Sequence, residues 1–386
     1  MTEITEAGQQ LRRAAALASG PTEVMAFLLP LWAAHDLGAS PTAIGIVLAI
    51  ESIISLIARP LVGVLADRIA RRQLAASGAA LYAASFVAYA VAPNIALVGA
   101  GAAIGGAASA FFWVALRADL GEHVGDDPAV FARLLASEEQ GILVAFVIGL
   151  AVLGAIGYRL VFLLGAASCA WATTTLLRTQ AKPRPIGPAT TAEQNLARVA
   201  RKLALLLVVT ALTAGAEAGL ALILLLHLQT RFELSPTQIA LLFLPGSIIL
   251  SVLPQRVFRI ACRIGRAHAI ATSLVASAIF AIGLGIVDNP IAVAVLWTIW
   301  AVSIAGAVPV EQVTIAQASP DQLGRSFGLY QAAALAGAVI APPTLAAIYQ
   351  TTGWTTACVV AATALLTGAA LIPLALRPLQ LPALAT

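Results

Sequence analysis

Charge is scarce in this sequence, and its scarcity excludes a soluble fold. Only 10% of the 386 residues are charged and 60% are apolar, whereas soluble globular domains average about 25% and about 45–50%. A soluble protein of this length could not cover its surface with so few charges, so the composition predicts an integral membrane protein. The net charge of +4 does not indicate nucleic-acid binding, because the basic residues mark the connections between apolar runs instead of forming one binding stripe.

The motifs of soluble enzymes are also missing. The sequence has no phosphate-binding Gly-Lys-Ser/Thr loop, which argues against ATP-driven pumping. Its three cysteines, Cys169, Cys262 and Cys358, lie far apart without metal-ligand spacing, and we expect them to be free thiols. The four histidines fall at or near the ends of apolar runs, and none is placed to activate a Ser or Cys nucleophile. The sequence therefore predicts no enzyme activity, no cofactor and no metal site.

Apolar runs long enough to cross a bilayer are what the sequence has in abundance. A spanning helix needs about 20 mostly apolar residues, and the runs are separated by charge clusters and by Pro, Gly and Asn turns. The run that follows the polar segment 1–13 is too long for the core of a signal peptide, so we expect a retained first span. The predicted spans are 14–34, 43–57, 74–91, 95–116, 134–156, 160–177, 203–228, 238–257, 269–287, 291–315, 327–349 and 355–376.

The basic residues predict how these spans are oriented. With the N-terminus inside, all 22 Lys and Arg residues except Arg159 and Arg231 fall in cytoplasmic connections or flanks. The positive-inside rule then places both termini in the cytoplasm of a bacterial-type inner membrane. The basic, proline-containing segment 178–202 is interpreted as a cytoplasmic linker between an N-terminal domain, 1–177, and a C-terminal domain, 203–386. Residues 192–202 could form a short surface helix within it.

The two halves of the chain also resemble each other in sequence. Three short matches recur at nearly one offset, which is typical of transporters built from repeated bundles. Thr22-Glu23 matches Ala216-Glu217, which lies 194 positions further on. Ser52-Ile53-Ile54 matches Ser247-Ile248-Ile249, and Asp67–Arg71 matches Cys262–Arg266, each 195 positions further on.

The most informative charged stretch is Gly63-Val64-Leu65-Ala66-Asp67-Arg68-Ile69-Ala70-Arg71-Arg72, between the second and third predicted spans. Apart from Ala70 in the place of a second Gly, it resembles the motif at this connection in the major facilitator superfamily of secondary transporters. The alternative is a basic loop that only follows the positive-inside rule. The resemblance covers essentially the whole chain. It implies an all-α integral membrane fold of twelve transmembrane helices in two pseudo-symmetric six-helix bundles, acting as a monomer by alternating access.

The resemblance implies a gating role for this motif. In the superfamily, its Asp and Arg residues hold the two halves together on the cytoplasmic side when the carrier opens outward. By position, Asp67, next to Arg68, would cap the helix that begins near Gly324–Phe327, a contact worth about 0.3–1 kcal/mol. Arg71 would pair with Asp119.

Three further acids lie nearer the cytoplasmic side of the predicted spans. Glu138 and Glu139 begin the fifth span, and Glu311 interrupts the tenth. For these acids we expect gating or structural pairs, for example with Arg117 or Arg133.

Acids within the apolar runs are the candidates for the transport site. A charged carboxylate at the bilayer centre costs about 2.5–3.5 kcal/mol, so Glu23, Glu51 and Glu217 are expected to face a cavity or a partner. Glu23 is the first choice for a proton or substrate-cation site, because an acid on the first span resembles the drug/proton antiporter branch. Thr210, Thr213 and Glu217 would form one polar stripe. The alternative for each acid is a purely structural role, neutralised by local hydrogen bonds.

The centres of the predicted spans contain no Arg or Lys. Carriers of phosphorylated or carboxylate substrates usually need a central Arg, so this pattern favours cationic, amphiphilic or neutral cargo. Aromatic residues could supply cation–π surfaces, although each is also common as packing or as an interfacial belt residue. The candidates are Phe111, Phe112, Trp113, Trp297, Trp300 and Tyr330, and the site prediction includes Trp113, Trp297 and Tyr330.

Taken with these features, the resemblance implies a secondary transporter for proton-coupled efflux of a small cationic, amphiphilic or neutral compound, a drug or a sugar-type metabolite. Two alternatives remain open, a proton-coupled nutrient importer and a lipid flippase. A non-transporting receptor is disfavoured, because we find no long soluble domain. Two features depart from the antiporter pattern: residues 99–106 contain no Arg, and the glycine-containing fifth span contains no Pro.

Overall fold

The computed structural model describes residues 2–178, 192–379, Leu381 and Leu384, and all regular secondary structure in that part of the chain is helical. The predicted linker segment falls largely on residues 179–191, which lie outside the described residues. The helices are α1 (Thr2–Asp36), α2 (Pro41–Ala66), α3 (Arg71–Val91), α4 (Ile95–Gly121), α5 (Val130–Leu177), α6 (Ala192–Arg231), α7 (Pro236–Val252), α8 (Pro254–Ile264), α9 (Arg266–Ile286), α10 (Pro290–Ala318), α11 (Leu323–Thr352) and α12 (Trp354–Leu376). Short 3₁₀ turns cover Pro320–Gln322 and Arg377–Leu379.

Serine and asparagine residues begin several of these helices. A side-chain oxygen at the N-cap accepts a hydrogen bond from one of the first N–H groups, which have no partner within the helix. The N-cap bonds run from Ala43 N to Ser40 Oγ at 3.2 Å, from Leu97 N to Asn94 Oδ1 at 3.1 Å, from Gln238 N to Ser235 Oγ at 3.3 Å, and from Ile291 N to Asn289 Oδ1 at 2.9 Å.

The helices confirm the predicted set of twelve spans. Ten helices of the described chain are long and apolar enough to cross a membrane, and α7 and α8, bent by 68° against each other, are so when taken together. The 48-residue helix α5 contains the predicted fifth and sixth spans, because Gly157 interrupts it with φ 73° and ψ 171°. Glycine adopts this left-handed conformation without steric cost, so it can separate two spans with no intervening loop.

Two predicted boundaries are wrong. Helix α2 continues to Ala66, past the predicted end at residue 57, and therefore includes Arg59. The helix can continue because this guanidinium is satisfied, donating to Ser55 Oγ at 3.2 Å and to the Gln331 carbonyl at 2.8 Å. Residues 192–202 are not a separate surface helix; they are the first turns of α6, which continues to Arg231.

The described chain divides into two compact units. The first unit comprises Met1–His123, Ser137–Leu196 and Pro320–Ala332, and the second comprises Val124–Ala136, Ala197–Ser319 and Ala333–Thr386. Each unit thus includes a short segment from the other half of the sequence. In the first unit this segment contains the beginning of α11, which contacts Asp67.

Candidate functional site

In the second unit, helices α6, α9 and α10 bring together an acid, a hydroxyl group and an indole. Ser277 Oγ donates to Glu217 Oε1 at 3.1 Å, and Trp300 Nε1 donates to Ser277 Oγ at 2.9 Å. Because the serine hydroxyl both accepts and donates, it holds the carboxylate of Glu217 in one orientation. Ser277 was not among the predicted site residues.

Aromatic rings form the wall beside this carboxylate. The ring centroid of Trp297 lies 4.7 Å from that of Trp300 and 4.5 Å from that of Phe243, and Phe280 stacks on Trp300 at 5.4 Å. A cavity of about 20 Å³ is bordered by Glu217, Trp297 and Trp300, which is room for roughly one water molecule. The indole nitrogen of Trp297 is buried and has no hydrogen-bond partner among the described residues. The structure thus places two separately predicted residues, Glu217 and Trp297, on one cavity.

The first unit has a second carboxylate cavity, of about 50 Å³, bordered by Glu51 on α2 and by Tyr82, Ser85 and Tyr89 on α3. The Ser85 hydroxyl donates to the carbonyl of Gly101 on α4 at 2.8 Å. Helices α2 and α4 pack closely here, because a side chain on Gly106 would collide with the Glu51 carbonyl oxygen. The sequence-based prediction named Glu51 but neither tyrosine.

Glu23 lies on α1 next to this cavity. Thr22, the residue before it, borders the cavity, whereas the side chain of Glu23 is exposed. The hydroxyl of Thr22 donates to the carbonyl of Ala18 at 2.9 Å. The two acids of the first unit therefore differ in their surroundings.

Asp67, at the end of α2, is bound to the beginning of α11 within the first unit. Its carboxylate accepts hydrogen bonds from Gly324 N at 2.7 Å, Arg325 N at 3.1 Å and Arg325 Nη1 at 2.8 Å. The backbones touch at this point, since a methyl group on Gly63 would lie 2.6 Å from the Gly324 carbonyl oxygen. A carboxylate at a helix N-terminus is favourable because free N–H groups and the helix dipole both point at it.

Arg71 is only 3% exposed and lies beside Asp67. Its guanidinium donates to Asp67 Oδ1 at 3.2 Å, to Glu122 Oε1 at 2.8 Å and to two backbone carbonyls. The pairing of Arg71 with Asp119 that the resemblance implied is corrected, because Asp119 instead accepts from Arg72 Nε at 3.1 Å. Arg71 thus joins the end of α2, at the Ala66 carbonyl, to the end of α4, at the Ala118 carbonyl, whereas Arg72 contacts α4 through Asp119. The side chain of Arg68 is half-buried.

The predicted partner Arg117 donates to Glu138 Oε1 at 2.9 Å. The same guanidinium lies 4.7 Å from the ring centroid of Trp113, so this ring contacts a cation of the protein itself. Glu139 is half-buried beside Glu138. In the first unit, Tyr330 is buried with its ring 6.5 Å from that of Phe327.

Glu311 belongs to the second unit and accepts a hydrogen bond from Thr210 Oγ1 at 2.8 Å. Thr213, one turn further along α6, donates to the carbonyl of Val209 at 3.0 Å. The predicted polar stripe of α6 therefore contacts different partners: Thr210 binds Glu311, and Glu217 binds Ser277.

Comparisons with known proteins agree with this fold. The sequence model of the Major Facilitator Superfamily matches residues 14–261 and 206–384. No curated protein sequence matches the chain.

Three solved structures are similar in fold. The human organic anion transporter MFSD10 (TETRAN) has a TM-score of 0.71 and 18% identity, with 97% of each chain covered. The proton:xylose symporter XylE has a TM-score of 0.75 and 15% identity, covering 96% of this chain and 95% of XylE. A bacterial homologue of the iron transporter ferroportin, in an outward-facing state, has a TM-score of 0.78 and 14% identity, with 96% and 99% covered. Identities this low show a shared fold only.

Proposed function

Because this chain belongs to the Major Facilitator Superfamily, and is therefore a membrane transporter and not an enzyme, we propose that it exports a small cationic, amphiphilic or neutral compound in exchange for protons. The cargo would be a drug or a sugar-type metabolite, moved by alternating access. The three structural neighbours are named for an organic anion, xylose and iron. Since their cargoes differ so widely, the cargo of this chain has to be inferred from its side chains.

The observation that carries the proposal is the oriented carboxylate of Glu217 beside the indole rings of Trp297 and Trp300. Indole faces attract cations with about 0.5–1 kcal/mol at exposed sites and about 2 kcal/mol when water is excluded. None of the described residues that border this cavity is basic. An anionic substrate would leave two negative charges together in an apolar setting, which is strongly unfavourable.

Proton coupling requires a carboxyl group that can change its protonation state during the cycle. Glu51 and Glu23, both in the first unit, are our candidates. We assign Glu217, with Trp297, to substrate binding and Glu23 and Glu51 to proton exchange. Trp113 and Tyr330 complete the predicted substrate set, although Trp113 packs on Arg117 and Tyr330 on Phe327.

For the gate, we propose the cluster of Asp67, Arg68, Arg71 and Arg325, whose hydrogen bonds would break and reform in each cycle. Asp119, Glu138, Glu139 and Glu311 would act in support. The distribution of basic residues supports placement in an inner membrane with both termini in the cytoplasm. We propose that the protein works as a monomer.

Binding and transport test this assignment separately. In detergent, a panel of cationic, neutral and anionic compounds should quench tryptophan fluorescence of the wild type only for the cationic and neutral members. Glu217→Gln should weaken cation binding about tenfold, since one charge contact is worth about 1.4 kcal/mol. Asp126→Asn, which removes an exposed acid outside the helices, is the matched control. Equal binding of anions, or unchanged cation binding by Glu217→Gln, would refute the assignment.

The direction of transport separates efflux from its alternatives. In proteoliposomes with a proton gradient directed outward, cargo should move inward while protons move outward. Cargo that moves together with protons would identify a nutrient importer, and movement of labelled lipid between leaflets would identify a flippase.

A further inference from the structure

The first unit carries an apolar groove between α1 and the two parts of α5. It has a volume of about 560 Å³, which is within the range of small-molecule sites, about 300–1,000 Å³. Val144, Ile148 and Leu164 line it and are 56%, 52% and 51% exposed, so the groove is open along one side. These side chains face the hydrocarbon of a bilayer when the helices span it.

One end of this groove adjoins a basic cavity. Both cavities are bordered by Ala16, Leu17 and Trp171, and the second is also bordered by Arg13 of α1 and by Arg178, directly after α5. Both guanidiniums are exposed, and within the described chain the structure gives neither an acidic partner. Trp171, at the junction, is 65% exposed. Tryptophan concentrates at the level of the lipid head groups, so the junction has the character of a membrane interface.

The length of the groove matches one leaflet. Along α1 its lining extends from Ala16 to Leu28, which corresponds to roughly 18 Å at about 1.5 Å per residue. The hydrocarbon core of a bilayer is about 30 Å thick. The groove therefore covers about half of the core, starting from its basic end.

We propose that this groove holds a resident anionic phospholipid, with its phosphate on Arg13 and Arg178 and an acyl chain along α1. Guanidinium groups bind phosphate oxygens through paired hydrogen bonds, and basic pockets beside membrane helices bind anionic head groups. A zwitterionic lipid fits the groove equally well, but its own cationic group opposes the two arginines. The preference for an anionic lipid follows from this charge.

The lipid is resident and is not the cargo. A head group that crossed the bilayer would need a polar path, because each charge costs about 2.5–3.5 kcal/mol at the centre. Beyond Trp171, the polar side chains of the groove are Gln140 and Ser168, and the Ser168 hydroxyl is already engaged with the Leu17 carbonyl at 2.7 Å.

Thermal unfolding in lipid nanodiscs tests the head-group contact. Phosphatidylglycerol added to phosphatidylcholine discs should raise the Tm of the wild type, and native mass spectrometry should count one bound phosphatidylglycerol. The double variant Arg13→Gln/Arg178→Gln should lose this gain, with an affinity about 30-fold lower, since each arginine near a lipid surface contributes about fivefold. The matched control Arg198→Gln/Arg201→Gln removes two other exposed arginines and should keep the gain. Loss in both variants, or in neither, would overturn the proposal.

A second pair of variants tests the apolar part. Ala167→Trp fills the groove, whereas Ala170→Trp places the same side chain on an exposed position of α5 that does not border it. Bound phosphatidylglycerol should disappear only in Ala167→Trp. Equal lipid retention in both would contradict an acyl chain in the groove.

Two further experiments show whether the phosphate belongs to a resident lipid, to a soluble compound or to a transported lipid. sn-Glycerol 3-phosphate, the soluble head group, should not raise the Tm of lipid-free protein in detergent. Labelled phosphatidylglycerol should stay in its leaflet in proteoliposomes. A Tm gain with the soluble head group would indicate a free phosphate site, and leaflet exchange abolished by Arg13→Gln/Arg178→Gln would make the lipid a cargo; either result overturns the resident lipid.

Discussion

The motif around Asp67 and its counterpart around Cys262 stand 195 positions apart in the two halves of the chain, yet they form different structures. In the first unit, Asp67 binds Gly324 and Arg325 through three hydrogen bonds. In the second unit, the equivalent residue is a buried cysteine on the basic helix α8. A cysteine cannot replace a carboxylate in a contact with backbone N–H groups and a guanidinium.

Neighbouring positions repeat this contrast. Gly63 lets α2 touch the backbone of α11, whereas its counterpart is the buried ring of Phe258. Helix α2 continues without a break through Arg59. The counterpart of Arg59 is Pro254, which lies at the 68° bend between α7 and α8. Proline lacks the N–H group that would continue the helix. Of the two equivalent motifs, the one around Asp67 thus combines charged residues with a close backbone contact. We therefore propose a gate at this motif and not at its counterpart around Cys262.

The largest effect is expected for Asp67→Ala. It leaves two buried guanidiniums, Arg71 and Arg325, without this carboxylate, and breaking a buried ion pair by removing one partner costs about 3–5 kcal/mol. Asp67→Asn keeps the shape and should slow transport while the protein still folds. Thermal unfolding and initial transport rates measure the two effects, and wild-type rates for correctly inserted Asp67→Asn would refute the gating role.

The close contact of α2 with α11 is tested by Gly63→Ala. The added methyl group would lie 2.6 Å from the Gly324 carbonyl oxygen, and overpacking of this kind costs about 1–3 kcal/mol. Gly45→Ala is the matched control on the same helix, because a methyl group there meets nothing within 4 Å. A difference in Tm between the two variants supports the contact, and equal Tm values contradict it.

Arg266, the counterpart of Arg71, should be less important. It donates to Thr314 Oγ1 at 3.2 Å and to Gln317 Oε1 at 2.9 Å. Arg71 is buried and ion-paired with Asp67 and Glu122, whereas Arg266 is half-buried, and contacts screened by solvent contribute less to stability than buried ones. The free energy of unfolding should therefore fall less in Arg266→Gln than in Arg71→Gln. The reverse order in a denaturant titration would show that the second unit carries the stronger contact.

The smallest effect is expected on the outer face of α8. Arg259 is exposed there, while Phe258 and Cys262 are buried. Exposed substitutions away from specific contacts usually stay within about 0.5 kcal/mol, so Arg259→Gln should match the wild type in Tm and transport. A loss as large as that of Asp67→Asn would mean that α8 has a gating role of its own.

The number and type of helices could be predicted from composition, because apolar runs of sufficient length have few alternatives in a bilayer. The bend before Pro254 could not be predicted from the proline alone, since Pro60 and Pro309 lie inside helices that continue past them. The break between the predicted fifth and sixth spans was expected at residues 157–159, but the absence of a loop there was not, because it depends on the left-handed conformation of one residue, Gly157. The local sequence does not reveal at which proline or glycine a helix will bend or break.

The candidate site shows the same limit. Glu217 and Trp297 could be proposed from their residue types, but the serine that joins the acid to Trp300 lies 60 positions from Glu217. A serine in an apolar helix has no distinctive pattern. The choice between Arg71 and Arg72 as partner of Asp119 depended on the direction of two adjacent side chains, which spacing alone does not give.

Substrate-evoked proton movement in proteoliposomes tests the central claim most directly. The wild type, Glu23→Gln and Asp126→Asn would be compared under an imposed pH gradient with a cationic or neutral compound. Proton movement that the compound evokes in the wild type and in Asp126→Asn, and that is lost in Glu23→Gln, is the predicted result. Cargo uptake that depends on neither the gradient nor Glu23 would make the protein a uniporter and contradict proton coupling.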